Sequence, residues 1–211
     1  MHCLMSWRMT DCPVNPTSRN PESHSMRLLP PSHAPEIAMQ DIYGNPITIG
    51  GGNGQRTLLA FFRDAACPFC NFRIYQLTAN HAALKKLGLN IVAVFASNTE
   101  EVKRFVARQP RPFPLVADPD SVAYDAYGIE SSLWGKIKAI LTRIPDLLKG
   151  LRMVGLAGLN TNNIMPTDFL IDEDGRIVEA YYGEDAGDHI PLERIELFVA
   201  RGMLARAAVA G

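Results

Sequence analysis

Two cysteines three positions apart are the residues of this chain best suited to chemistry. They stand in the stretch Cys67-Pro68-Phe69-Cys70, after an apolar run, Thr57-Leu58-Leu59-Ala60-Phe61-Phe62, that is typical of a buried strand. Residues 71–87 have helical spacing of their apolar side chains, and Gly88 follows as a C-cap. The thiols therefore lie at a helix N-terminus, where unpaired N–H groups and the helix dipole stabilise a thiolate.

Three kinds of site are open to such a pair: redox-active thiols, half of a zinc site, or two inert buried thiols. A Cys-x-x-Cys beside a β-α-β pattern is typical of a redox motif. A zinc site needs four ligands, and the other cysteines, Cys3 and Cys12, lie in a stretch without a regular pattern. We therefore expect redox-active thiols, no metal and no cofactor.

The composition is that of an ordinary globular protein. Of the 211 residues, 47% are hydrophobic and 20% charged, which suits one domain with an extension or two small ones. The formal net charge of −1 predicts no polyanion-binding face, so nucleic acid is not an expected partner. Charges interrupt every apolar window, and no continuous apolar signal segment begins the chain. A cytoplasmic location with reduced thiols is the resulting expectation.

The pattern divides the chain into a segment and a folded unit. Residues 1–32 are rich in Pro, Ser, Asn and Arg, and are predicted to be disordered or extended, with Met26 as an alternative start. Residues 33–211 are predicted to form an α/β domain with a helical insert at about 129–165. Its predicted strands are a hairpin within 37–49, then 57–62, 89–96, 112–117, 167–171 and 176–182; its helices are 71–87, 97–108, 118–128 and 191–208.

Three motifs, in this order, resemble one protein family. They are Phe61-Phe62-Arg63-Asp64-Ala65-Ala66-Cys67-Pro68-Phe69-Cys70, Phe113-Pro114-Leu115-Val116-Ala117-Asp118-Pro119 and the stretch from Pro166 to Ile177. They are similar to the peroxiredoxin-like branch of the thioredoxin superfamily, which is related to the alkyl hydroperoxide reductase and thiol-specific antioxidant proteins. The resemblance covers roughly residues 34–208. It implies a thioredoxin-like fold: a central mixed sheet flanked by helices, with an N-terminal hairpin and a helical insert.

The resemblance also implies roles for particular residues. Cys67 matches the nucleophilic position, exposed at the helix N-terminus, and Cys70 matches the resolving thiol. Pro166 matches the superfamily's cis-proline, whose loop packs against the dithiol and offers backbone to an extended substrate. An ordinary strand-entry proline is the alternative, since a cis X-Pro bond is only weakly disfavoured. The expected substrate-binding residues around this dithiol are Pro68, Phe69, Arg63 and Met165.

Two departures from the family pattern favour disulfide over peroxide chemistry. True peroxiredoxins carry Thr or Ser where Asp64 stands, and Arg at about the place of Pro166. Arg63 or Arg73 could compensate by raising the thiolate content, or could be solvated charges. Asp64 would oppose the thiolate unless it accepts a proton during exchange.

The insert carries an apolar helical stripe flanked by basic residues. Pro145 is expected to divide it into two helices or to kink one. A basic amphipathic helix can bind a membrane surface or a partner; the favoured alternative is an element that packs on the sheet or on a second subunit, which makes a homodimer an option. The loop 155–164 could form one wall of the dithiol cleft. Further along, His189 could serve as a proton donor if the hairpin brings it near the cleft; the favoured alternative is that Asp188 caps a helix and His189 lies on the surface.

The sequence thus favours a thiol-disulfide oxidoreductase. A thiol peroxidase that reduces hydroperoxides is the first alternative, and a non-catalytic binding module acting through the basic insert is the second. Substrates would be disulfides or peroxides, and a thioredoxin- or glutathione-type donor would reset the pair.

Overall fold

The computed structural model describes residues 27–129, 133–155 and 162–210. The predictions for Cys3, Cys12 and Met26 lie outside these residues, as does most of the segment 1–32. Leu28 and Ser32 hydrogen-bond to Tyr182 and Ile177 respectively. The described strands are β1 (Ile37–Gln40), β2 (Pro46–Ile49), β3 (Arg56–Phe62), β4 (Leu89–Phe95), β5 (Leu115–Ala117), β6 (Thr167–Ile171) and β7 (Ile177–Tyr182).

Helices follow the strands in the predicted order. They are α1 (Pro68–Lys86), α2 (Thr99–Phe105), α3 (Val122–Ala126), α4 (Leu133–Thr142), α5 (Ile144–Val154) and α6 (Leu192–Ala210). The insert forms two helices, α4 and α5, as expected from Pro145, which lies in the first turn of α5. Within the described part of the chain, no helix is both long and apolar enough to cross a membrane.

A mixed sheet of order β5-β4-β3-β6-β7 forms the centre of the fold, while β1 and β2 make a separate antiparallel hairpin. Strand β3 pairs in parallel with β4 and antiparallel with β6. This confirms the predicted mixed α/β class.

Alternation along β3 sends successive side chains to two cores. Leu58, Ala60 and Phe62 belong to the core that also contains residues of α1 and α6. Leu59 and Phe61 belong to the opposite core, with residues of α3 and the hairpin. Because both faces are covered, Thr57–Phe62 are all buried, which explains the continuous apolar run of β3. The strand therefore places the dithiol loop at its carboxyl end on a rigid support.

Candidate active site

Cys67 is the N-cap of α1. Its backbone is extended (φ −63°, ψ 124°), and its Sγ accepts a hydrogen bond from the backbone N–H of Cys70 at 3.5 Å. Pro68 occupies the first turn, where its missing N–H costs nothing, as predicted. The Asn71 amide donates to the carbonyls of Ala65 and Cys67 at 2.6 and 3.0 Å and so fixes the loop.

The two thiols differ in acidity. Burial raises the pKa of Cys67, but the Cys70 thiol, the Arg63 charge and the N–H groups of Cys70 and Phe69 more than offset this and lower it to about 7. Burial and the neighbouring Cys67 hold the pKa of Cys70 well above its usual value. Cys67 is therefore the thiol that ionises first, and Cys70 remains protonated beside it.

Arg63 lies against the sulfur of Cys67. Its Nη1 is 3.8 Å from Sγ, and the residue is only 1% exposed. Arg73 is also buried and donates to the carbonyl of Ile190 at 2.7 Å. The alternative of solvated charges is thus wrong for both arginines, because packing of α1 and the strand end encloses them.

Asn162 joins the end of the insert region to the dithiol loop. Its carbonyl accepts a hydrogen bond from Arg63, and its N–H donates to the carboxylate of Asp64. Most of the loop predicted to wall the cleft, residues 156–161, lies outside the described residues.

The expected exposure of Cys67 is wrong. Both thiols have 0% exposed surface. The physical reason is the insert: α5 packs on the first turn of α1, and a Cβ at Gly150 would come within 2.2 Å of the Pro68 carbonyl oxygen. Leu147 of α5 also packs against the core that contains both cysteines.

Ion pairs attach the insert to the loop after β7. Arg143, between α4 and α5, lies 2.8 Å from Asp185 and 3.2 Å from Asp188. Lys138 pairs with Glu184 at 2.9 Å. Lys138 and Arg143, two of the basic residues that flank the apolar stripe, thus form ion pairs within the chain.

Pro166 is an ordinary strand-entry proline. The cis bond that the described residues contain is Pro30–Pro31, so the expected cis bond before Pro166 is wrong. A trans X-Pro bond is favoured by about 0.5–1 kcal/mol, and the strand entry accommodates it: the Pro166 carbonyl accepts from Gly183 N–H at 2.9 Å. Met165 and Pro166 are buried, and no hydrogen bond between described residues joins either to the thiols.

A buried Asp–His pair lies near the same helix and was missed from the sequence. His189 Nδ1 is 3.0 Å from Asp168 Oδ2, and the two side chains are 4% and 0% exposed. The expectation of a surface His189 is therefore wrong, because the ring is buried in contact with the buried Asp168 carboxylate. Asp188 pairs with Arg143 and Tyr181. No signal in the sequence couples the two positions.

The described residues contain no group of three or more side chains suited to hold a metal ion. Because the thiols lie with a guanidinium and not with further ligands, thiol chemistry is what the arrangement can perform.

Comparison with known proteins finds relatives among peroxiredoxins and thiol-disulfide oxidoreductases. A Mycobacterium tuberculosis protein provisionally named a peroxiredoxin is 28% identical over 176 residues, or 82% of this chain and 97% of the relative. The thiol-disulfide oxidoreductase ResA of Bacillus thuringiensis is 25% identical over 158 residues, or 74% of this chain and 72% of ResA. The crystal structure of peroxidoxin BcpB from M. tuberculosis has a TM-score of 0.57 at 14% identity, over 81% of this chain and 95% of that one, and shows the shared fold.

The model of the AhpC/TSA family matches residues 30–180, which is well over half of the chain. The resemblance found in the three motifs is thereby confirmed. This protein is an oxidoreductase of the AhpC/TSA family, in the peroxiredoxin-like branch of the thioredoxin superfamily.

Proposed function

We propose that this protein is a thiol-disulfide oxidoreductase in which Cys67 attacks and Cys70 resolves. One observation carries the proposal: Cys67 Sγ accepts the N–H of Cys70 within a single helical turn, and the two pKa values move apart. A thiolate beside a protonated thiol is the arrangement that disulfide exchange needs, since the thiolate is the nucleophile.

Two exchange steps follow from this arrangement. The Cys67 thiolate attacks one sulfur of a substrate disulfide, forming a mixed disulfide and releasing the other half as a thiolate. Cys70 then loses its proton and attacks Cys67 Sγ, which releases the second half and leaves a Cys67–Cys70 disulfide. Two electrons pass to the substrate, and a dithiol donor of the thioredoxin or glutathione type would return them.

A thiol peroxidase is the second candidate, and Arg63 favours it. A guanidinium beside Sγ could hold a peroxide while the Cys67 thiolate attacks its terminal oxygen and an alcohol leaves. Cys70 would then condense with the resulting sulfenic acid and release water. Against it, Asp64 is engaged with Asn162, so it does not replace the hydroxyl that peroxiredoxins carry there.

A redox titration tests the proposal. In a Cys3→Ser/Cys12→Ser background, only Cys67 and Cys70 can pair. We expect the mass to fall by two hydrogens across a glutathione gradient, with a reduction potential between roughly −270 and −120 mV. Cys67→Ser should abolish reduction of insulin disulfides, and Cys70→Ser should trap the mixed disulfide. A pair that never oxidises would refute the proposal.

Stopped-flow mixing with hydrogen peroxide separates the two candidates. Fast peroxide consumption that Cys67→Ser abolishes, with slow insulin reduction, would favour the peroxidase. The reverse order of rates is expected here. The same Cys3→Ser/Cys12→Ser protein serves both assays, so the comparison uses one dithiol.

A further inference from the structure

The insert leaves a row of large apolar side chains exposed to solvent. Their positions follow i, i+3, i+4, i+7 and i+11, which is the spacing of one helix face. This outer stripe, 42–69% exposed, consists of Ile137, Ile140, Leu141, Ile144 and Leu148. Helical hydrogen bonds continue across the junction of α4 and α5, because the N–H of Arg143 donates to Ala139 and that of Leu147 donates to Arg143, each at 2.9 Å. The stripe is therefore one continuous face, and a contiguous apolar face of this kind marks an interaction site.

A different face of the same helices attaches the insert to the rest of the chain. Ala139 is 0% exposed, and Gly150 packs on the first turn of α1. Arg143 is half-buried and binds Asp185 and Asp188 in the loop after β7. These inner residues recur at a helical spacing of their own. The outer stripe is therefore not needed to hold the insert in place, and it stays uncovered in the described part of the chain.

Basic side chains flank the outer stripe. Lys138, Lys149 and Arg152 are all exposed. The ion pair of Lys138 with Glu184 joins side chains that are 49% and 78% exposed. Lys149 approaches Asp146 only to 3.9 Å. Pairs this exposed are weak and are screened by salt, so these cations remain available to an anionic surface.

The charge of the chain is divided unevenly. Residues 133–155 contain five basic residues and one acidic residue, which is a net charge of +4. Because the whole chain has a formal net charge of −1, the remainder carries −5. Such an asymmetry, which the net charge of the whole chain conceals, indicates an anionic partner for the insert.

We propose that the outer stripe docks on an anionic lipid bilayer, with α4 and α5 lying in the plane of the interface and the basic flank among the headgroups. An exposed apolar face beside a cationic one is the arrangement of an interfacial helix. Nucleic acid would match the charge but not the isoleucine and leucine side chains. A second copy would match the apolar face, but two inserts of +4 would repel each other. The inference goes beyond the proposed disulfide exchange and does not depend on it.

Cosedimentation of the full chain with sucrose-loaded vesicles tests the proposal. Vesicles of phosphatidylcholine alone are compared with vesicles in which phosphatidylserine replaces part of the phosphatidylcholine. Each basic residue near an anionic surface is worth about fivefold in binding, so the three flank residues predict a partition coefficient at least about tenfold higher on the anionic vesicles. Raising the salt concentration should remove most of this difference, because it screens the charges.

Variants at exposed positions separate the apolar and the electrostatic contributions. Leu141→Ser, at a position 69% exposed, should lower the partition coefficient about tenfold on both kinds of vesicle. Arg152→Gln should lower it about fivefold on the anionic vesicles alone. The matched controls lie outside the insert and should leave binding unchanged. They are Leu197→Ser, at a position 50% exposed on α6, and Arg108→Gln, at an exposed position after α2.

Each outcome supports the proposal or overturns it. Preference for the anionic vesicles, with selective loss in the two insert variants, supports it. Equal sedimentation with both kinds of vesicle, sedimentation with neither, or losses in the controls as large as in the insert variants would overturn it. Sedimentation equilibrium without lipid examines the rival occupant. A dimer that Leu141→Ser dissociates would show that a second copy covers the stripe, and would likewise overturn the proposal.

Discussion

Gly150 of α5 lies directly against the backbone of Pro68 in the first turn of α1. A Cβ at this position would approach the Pro68 carbonyl oxygen to 2.2 Å. Pro68 follows Cys67, and both thiols lie without exposed surface in the core against which α5 packs. We therefore expect the contacts that hold the insert against α1 to limit the access of reagents to Cys67.

Gly150→Ala should loosen this crossing. Alanine is favoured over glycine in a helix interior by about 0.8–1 kcal/mol, so an uncrowded site would gain stability. Here the new methyl group meets backbone that cannot rotate away. We expect a lower Tm in calorimetry and faster alkylation of Cys67 by iodoacetamide, followed by mass spectrometry. Leu148→Ala, at a position 55% exposed on the same helix, should leave the alkylation rate unchanged.

Arg143→Met should release the insert from the loop after β7. It removes both ion pairs and leaves Asp185, whose side chain is 5% exposed, without its partner. Faster hydrogen exchange across α4 and α5 and faster Cys67 alkylation are expected. Salt should speed alkylation of the wild type more than of the variant. Lys138→Met removes an exposed pair and serves as the control. Equal effects of the two variants would contradict a role for Arg143 in access.

Local pattern was sufficient to predict the elements that carry their own signals. The continuous apolar run that ends at Phe62 predicted a strand covered on both faces, and β3 is such a strand. Gly88, at φ +82°, follows α1 as the C-cap glycine that its position in the sequence indicated. The dithiol turn was also predictable, because Cys67 as N-cap and Pro68 in the first turn satisfy the same helix end.

Contacts between distant segments decided the rest. Arg63 and Arg73 have the same chemistry in the sequence, and only packing places the first on the Cys67 sulfur. Asp168 and His189 are 21 positions apart and meet where β6 passes the loop before α6. The close approach of α5 to Pro68 requires Gly150, and no periodicity in the sequence predicts which surface the insert packs on. Hydrophobic pattern fixes which face is buried, but not which polar groups pair across it.

Arg63→Met should raise the pKa of Cys67 and slow its reactions near neutral pH. With the pKa at about 7, half of the thiol is ionised at pH 7, whereas a thiol of pKa 9.0 would be about 1% ionised there. Thiolate is the reactive form, so alkylation should speed up as pH rises through the pKa, and the variant's profile should shift to higher pH. Ultraviolet absorbance of the thiolate gives the same pKa.

Charge and contact can be separated at this position. Arg63→Lys keeps the charge and should recover part of the shift, whereas exposed Arg108→Met should leave the profile in place. An unshifted profile in Arg63→Met would show that the helix N-terminus and the Cys70 thiol suffice.

Asp168→Asn should destabilise the fold and flatten its acid response. Burial raises the pKa of Asp168, but the charge and hydrogen bond of His189, with Arg73 and the Ile190 N–H, lower it below its usual value. A depressed carboxyl pKa adds stability that is present above the unfolded-state pKa and is lost as pH falls through the folded one. Breaking a buried pair costs about 3–5 kcal/mol, which urea unfolding at neutral pH would measure.

The same measurement at acid pH distinguishes this pair from a general effect of charge. The free energy of unfolding of the wild type should fall more steeply than that of Asp168→Asn as pH drops below the usual carboxyl range, because only the wild type has this carboxylate to protonate. Asp120→Asn, an exposed position before α3, removes the same charge and should unfold like the wild type at both pH values. Parallel pH curves for wild type and Asp168→Asn would mean that this carboxyl has the same pKa in the folded and unfolded states, and would contradict the prediction.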